Sequence, residues 1–456
     1  MENIPWSITE TEISLARRCV EMALEEGASD VRVSLSKSLM DLVLVRDGSP
    51  DKVSRAGDRS LTFNIFADGR YGTFSVNRLD GDLMRSFLHD AVETVRMLAP
   101  DEFRRLPDSS RTAKNALTGL ELGLYDPSYA SLSPSERLET ACGASIFATA
   151  KPEGCRLISE EIEYSNSIYD NLVIDSRGLE ARHIESSFEI GCETTIADAR
   201  GNKYSGYWWD ASPMRADLST SDVCAKALQR AMAQINPLPH PGGACTMVVE
   251  NEAAARLLSP VLGALSAFSV QQGNSFLRDS LGKKVFADGF TLCDRPHEKG
   301  CSGSKLFDSE GVATSEAPII EGGTVREFFI NTYMSGKLGM PPTREDAMRP
   351  TVLPFRPGGA KEGSFGTDEI LALCGEGILV TGFNGGNHNA ATGDFSYGVE
   401  GFAFKGGRIV HPIRGMVITG NMLTLWNNLL AAGDNPRRGA GKQVPTLAFS
   451  QVEFSA

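Results

Sequence analysis

The chain has 456 residues, 41% of them hydrophobic and 23% charged, a composition that supports buried cores and about two to four domains. Its formal net charge of −13 argues against a nucleic-acid or anionic-membrane surface as main partner, because phosphate binding needs clustered lysine and arginine. Arg104-Arg105 and Arg437-Arg438 stand only as isolated pairs. Nine cysteines, an odd number with no C-x-x-C pair, fit a reducing compartment without a disulfide framework. The first residues lack a basic segment followed by an apolar run, and the most apolar window, 253–270, is broken by Arg256 and Pro260. A cytoplasmic protein without a signal peptide or a membrane span is therefore expected.

The first segment reads as helix, strands, helix. Ser7 and Glu10 have capping-box spacing ahead of ISLARRCVEMALEEG. In SLTFNIFADGRYGTFSV, two apolar runs meet at Asp68-Gly69, a dipeptide that suits the type I′ turn of a hairpin. Asp80 or Asp82 is placed to cap the next helix, where Leu83, Phe87, Ala91 and Val95 recur every four residues beside Leu88, Val92 and Leu98. Residues 99–131 read as a linker.

Ser133-Pro134-Ser135-Glu136 opens a second segment with a cap, a proline at the first helical position and a capping-box glutamate. A strand-rich run follows over 155–209, with turns at Arg177-Gly178 and Gly201-Asn202, and a helix over about 220–235 closes it. NPLPHPGG (236–243) is the clearest boundary in the chain. Beyond it lie a strand, a helix over roughly 251–267 and, from 305 onward, mostly sheet, with Gly-Gly hairpins at Gly322-Gly323 and Gly406-Gly407. The expected fold is α+β: an N-terminal α/β region over 1–110, a central helix with antiparallel strands over 111–236, and a barrel-like C-terminal domain dominated by antiparallel sheet over 237–456.

The densest candidate chemistry is GFNGGNHNAATGDFSYGVEGFAFKGGRIVHPIRG (382–415). It fails as a phosphate loop, because no lysine follows its glycines and no helix pattern begins there. It is thin as a metal site, since His388 has no second histidine or cysteine at ligand spacing. A structural turn, a groove lining with Asn387, His388, Thr392 and Asp394 as contacts, and a catalytic role all remain open. His297-Glu298 invites a zinc reading, but Cys301 stands where the second imidazole of H-E-x-x-H belongs, and Gly300 and Gly303 interrupt a helix. Asp308 and Glu310 in FDSEG read as solvated or turn-capping carboxylates. PPTREDAMRPTVLPFRPGGA (341–360) reads as a loop, either over a chamber mouth or plainly on the surface.

FDSEGVATSEAPIIEGGTVREFFINTYMSGKLGM (307–340) followed by GFNGGNHNAATGDFSYGVEGFAFKGGRIVHPIRGMVITGN (382–421) closely resembles the C-terminal signature of the TldD/PmbA family. That family is also called TldE or modulator of DNA gyrase. LTFNIFADGRYGTFSVNRLD (61–80) and PLPHPGGACTMVVENEAAARLL (237–258) resemble its first domain and the start of its third segment.

The resemblance implies a cytoplasmic zinc peptidase system of two related subunits, acting on short or unfolded peptides in leader-peptide trimming and antitoxin turnover. The TldD-type chain holds zinc through H-E-x-x-x-H and a C-terminal cysteine. Here the matching positions read Ser259, Pro260 and Ala264, and no cysteine follows Cys374. The chain thus resembles the PmbA/TldE-type subunit, without zinc of its own. It is expected to pair with a TldD-type chain, which would carry the zinc, or with a second copy. A solo peptidase using His388 with Asp394, and a regulatory protein acting on gyrase, are the alternatives.

Overall fold

The structure, a computed structural model, describes residues 4–358 and 363–456. Helix α1 (Glu10–Glu25) precedes strands β1 (Asp30–Arg46), β2 (Ser49–Ala67) and β3 (Arg70–Val76) and helix α2 (Gly81–Met97). The capping box at its start is displaced by two residues from the expected pair. Glu12 N donates to Thr9 Oγ1 at 3.3 Å, and Thr9 N donates back to Glu12 Oε2 at 2.8 Å. Asp68 and Gly69 both adopt positive φ, of 50° and 70°, at the β2–β3 hairpin. On α2 the buried stripe is Met84, Leu88, Ala91, Val92 and Val95, while Leu83 and Leu98 are exposed. The first helical residue is Gly81, so Asp82 lies inside the helix rather than capping it.

Helix α3 (Pro134–Gly143) starts at Ser133 with the expected box to Glu136. Strands β4 (Cys155–Asp175), β5 (Glu180–Asp198) and β6 (Lys203–Ser212) and helix α4 (Val223–Ala233) follow. One six-stranded antiparallel sheet, ordered β3-β2-β1-β4-β5-β6, joins the first two segments. β1 pairs with β4 from Arg32↔Asp175 to Arg46↔Glu161, so the sheet itself has no break at residue 110. At 17 residues, β1 runs about 55 Å, long enough to carry two separate helical layers. Toward one end α1 and α2 bury Val31, Val33, Phe63 and Ile65; toward the other, α3 and α4 bury Val45, Tyr164 and Ile190.

The segment 99–131 is irregular, as expected, but it is not a free linker. Leu106, Ala113, Ala116 and Leu124 are buried. Arg182 N, Ile184 N and Ser186 N on β5 donate to Ala116 O, Gly119 O and Leu124 O at 2.7–3.0 Å. The segment thereby covers the part of β5 that extends past β6.

The third segment contains β7 (Gly243–Val249), α5 (Asn251–Leu265), α6 (Ala267–Gln271), β8 (Leu292–Asp294), β9 (Ala317–Glu321), β10 (Thr324–Val325), α7 (Thr332–Leu338) and β11 (Pro350–Val352). After it come α8 (Thr367–Cys374), β12 (Glu376–Phe383), β13 (Asn387–His388), β14 (Asp394–Lys405), β15 (Arg408–Asn421), α9 (Met422–Asn427), β16 (Leu429–Ala432) and β17 (Leu447–Ser455). Both Gly-Gly hairpins form. The run after 305, expected to be mostly sheet, also holds helices α7, α8 and α9. β12, β7, β17, β15 and β14 close into a barrel, because β12 pairs with β14 as well as with β7. All its pairs are antiparallel except β7–β12. Leu257, Leu258 and Val261 of α5 join Met247, Val380, Val399 and Ile418 in the main core. The expected loop is interrupted over 341–358 by β11, which pairs with β8, and it is tied down: Arg344 pairs with Asp294 at 2.8 Å and Arg349 with Glu298 at 2.6 Å. Positions 359 and 360 of that loop lie outside the described residues.

Candidate functional site: a cleft between sheet and barrel

A cleft of about 1300 Å³ lies between the last strand of the six-stranded sheet and the barrel. β6 supplies Tyr207, Trp208 and Trp209; α4 supplies Arg230; α5 supplies Glu252, Arg256 and Ser259; β12, β14 and β15 form the opposite wall. Alternation along β6 sets neighbouring aromatics on opposite faces of the strand, yet all three reach the cleft because it wraps the sheet edge. Arg437 stacks over both Trp208 and Trp209, 4.5 and 4.7 Å from their centroids, and pairs with Glu252 at 2.8 Å. Burial pushes the Glu252 carboxyl up, with the Arg437 cation opposing. Arg230 pairs with Glu250 at 2.9 Å, joining α4 to the barrel.

The glycine-rich stretch divides between wall and loop. Gly382, Phe383, Gly385 and Glu400 line the cleft. Asn387 and His388 form the short edge strand β13, which pairs on one side with Ser396 and Phe395. Arg256 Nη2 donates to Gly386 O at 3.2 Å, binding that edge to α5. Burial and the Arg256 cation hold the His388 imidazole below its ordinary value. Gly386 has φ +83°, and a Cβ there would lie 2.0 Å from Ser396 O, so close backbone approach requires glycine.

Thr392 and Asp394 spend their polar atoms inside the loop. Thr392 Oγ1 donates to Asp394 Oδ2 at 2.7 Å, and Asn421 Nδ2 donates to Asp394 Oδ1 at 2.9 Å. These two donors hold the Asp394 carboxyl below its usual range. Asp308, by contrast, is buried, and its Oδ1 accepts the N–H groups of Glu310 and Val312, each at 2.9 Å. It caps a turn and is not solvated.

On α5, Ser259 Oγ donates to Ala255 O at 2.9 Å and accepts from Lys442 Nζ at 2.9 Å. Ser259 lies between the cleft and a second cavity of about 740 Å³ that also holds Glu345, Asp346 and Lys442. Pro260 and Ala264 are buried in the core. A zinc ion does not fit this donor set, because a hydroxyl, a ring and a methyl offer one weak ligand and an ammonium stands against it. Elsewhere, Glu160, Cys192 and Cys224 place ligand atoms within 4.8 Å of one another. They are fully buried, Glu160 is already bonded by Ser145 Oγ and Ile146 N, and the neighbouring Cys192 thiol and burial push the Cys224 thiol up.

Family models for the PmbA/TldA metallopeptidase central and C-terminal domains match residues 128–235 and 242–456. The chain belongs to the PmbA/TldD family. It is 27% identical over 454 residues to metalloprotease PmbA of Escherichia coli, covering 98% of each chain. A metalloprotease PmbA homolog of Haemophilus influenzae is 26% identical over 450 residues, with 96% and 94% covered. A crystal structure from Bacteroides thetaiotaomicron, described as a candidate modulator of DNA gyrase, superposes with a TM-score of 0.91 at 35% identity, covering 98% and 100%. TldE from Thermococcus kodakarensis shares the fold, with a TM-score of 0.81 at 17% identity over 97% and 100% of the two chains.

The Tyr207-Trp208-Trp209 wall and Arg256 were absent from the sequence-based site. Two of the chain's four tryptophans are adjacent, and that was the available signal. Arg256 carried none, because a lone arginine on an apolar helix reads as solvated.

Proposed function

We propose that this PmbA/TldD-family chain is a non-catalytic, peptide-holding subunit of a cytoplasmic zinc metallopeptidase. The zinc would reside on a TldD-type partner, and leader peptides or unfolded segments would be the substrates. The observation that carries this reading is the Lys442 ammonium on Ser259 Oγ, at the position where the family's catalytic type carries a histidine ligand. A fixed cation beside a weak hydroxyl ligand disfavours a divalent ion. The cleft supports the holding role through its aromatic wall, which offers apolar contact, and β13, last in its sheet, has one edge without a strand among the described residues, available for main-chain hydrogen bonds.

Free cysteines throughout agree with a reducing compartment, and among the described residues no helix is long and apolar enough to cross a membrane. Co-purification with a TldD-type chain, zinc analysis of each, and peptidase assays on each alone and on the mixture test the reading. Activity and zinc only with the partner are expected; stoichiometric zinc in this chain alone overturns it. Self-association in place of a heteromeric pair would retain the holding role but assign no zinc to the assembly.

A further inference from the structure

The cations of the cleft are not equivalent. Lys226 is paired with Asp222 at 2.6 Å and Arg230 with Glu250 at 2.9 Å, and Arg437, stacked on Trp208 and Trp209 of the wall, is paired with Glu252 at 2.8 Å. Arg256 lines the same cleft, is exposed, and has no carboxylate partner among the described residues. Its guanidinium is nevertheless held in place. It lies 5.0 Å from the centroid of the buried Tyr397 ring and donates one hydrogen bond to Gly386 O. A guanidinium carries five N–H donors in a rigid fork matched to carboxylate geometry, so most of them stay available toward the cleft.

We infer that Arg256 anchors a carboxylate of the bound peptide, either its C-terminal carboxylate or an aspartate or glutamate side chain. The inference rests on the peptide-holding reading and adds a polarity to it. Arg256 binds the carbonyl at the entry to β13, so an extended chain laid along that edge brings one of its residues to the guanidinium. Of the four acids that line the cleft, Glu250 and Glu252 are engaged by their own arginines; Glu400 accepts from Asn384 Nδ2 at 3.0 Å, and Glu193 has no basic partner among the described residues. The stacked ring and the hydrogen bond fix the fork before ligand arrives, which lowers the ordering cost of binding.

The test measures fluorescence anisotropy of N-terminally labelled alanine-rich hexapeptides against the full chain. Three probes are needed: a free C-terminal carboxylate, the same peptide amidated, and an amidated peptide carrying one glutamate. Each is titrated against wild type, Arg256→Gln and Arg256→Lys. The free acid or the glutamate peptide is expected to bind about tenfold more tightly than the plain amide. Arg256→Gln should abolish that preference, so that the three probes bind alike, while Arg256→Lys restores part of it. Which peptide shows the preference identifies the source of the carboxylate. Equal binding of all three probes by wild type overturns the anchor while leaving the peptide cleft standing. Absence of binding by any probe overturns the holding role with it. If Arg256→Gln fails to fold, Arg256→Lys carries the comparison, and a preference as large as that of wild type in this variant overturns the fork as the anchor.

Discussion

Arg182 grips Asp170 on the neighbouring strand through two parallel bonds, Nε to Oδ1 at 3.0 Å and Nη2 to Oδ2 at 2.6 Å. Both side chains are buried, and both reach the backbone of Ile8: Asp170 Oδ2 accepts its N–H and Arg182 Nη2 donates to its carbonyl. Removing either partner leaves an uncompensated buried charge. Arg182→Met is expected to destabilise the fold by about 3–5 kcal/mol, and the double change Arg182→Met with Asp170→Leu by clearly less. Urea denaturation of wild type, Arg182→Met, Asp170→Leu and the double variant measures this coupling.

Ser259→His alone is expected to leave zinc affinity negligible. One imidazole is a single ligand, Ala264 supplies none, and Lys442 opposes the ion. Competition against a chromogenic chelator reports the affinity; tight stoichiometric binding by this single variant would contradict the account of α5.

The Asp308 carboxyl is pushed up from 3.8 to about 7, chiefly by burial and further by the Glu345 charge. Its folded value exceeds its unfolded one, so the native state holds the proton more tightly. The resulting stabilisation is complete below about pH 4 and is lost as pH rises through about 7. Asp308→Asn keeps an oxygen for the two N–H donors and removes the titration. The wild-type minus variant difference in unfolding free energy should fall steadily between those limits, read from denaturation series at several pH values. A flat difference would mean that Asp308 titrates normally.

Gly386→Ala is expected to cost on the order of 1–3 kcal/mol, since the backbone conformation there is one that side chains rarely adopt and Ser396 O blocks the new methyl. The loss should be local: faster amide exchange at His388 and Ser396, with the other barrel amides unchanged.

The hairpins at Asp68-Gly69, Gly322-Gly323 and Gly406-Gly407 were legible because a type I′ turn makes a local demand that few residue pairs satisfy. The capping box at α1 was not. Ser7-x-x-Glu10 and Thr9-x-x-Glu12 are equally good locally, and a distant contact decides: the N–H and carbonyl of Ile8 are bonded to Asp170 and Arg182, and Thr9, the next residue, caps the helix. The phase of α2 was half legible, since four-residue spacing finds a helix but not which flank meets α1. The segment 99–131 lacks periodicity, and its burial depends on carbonyls pairing with β5. The cleft itself joins residues near 208, 256 and 409, a relationship that no local spacing records.

The only parallel contact in the barrel, β7 with β12, has a kinetic corollary. Neighbours pointing the same way require a long return path, and here the chain makes it through residues 250–375. β17 must then arrive from the far side to seal β7 against β15. Ring closure therefore comes late and unites three sequence regions, so the barrel should be the slow step of refolding, while the α1–β3 region assembles without waiting for it.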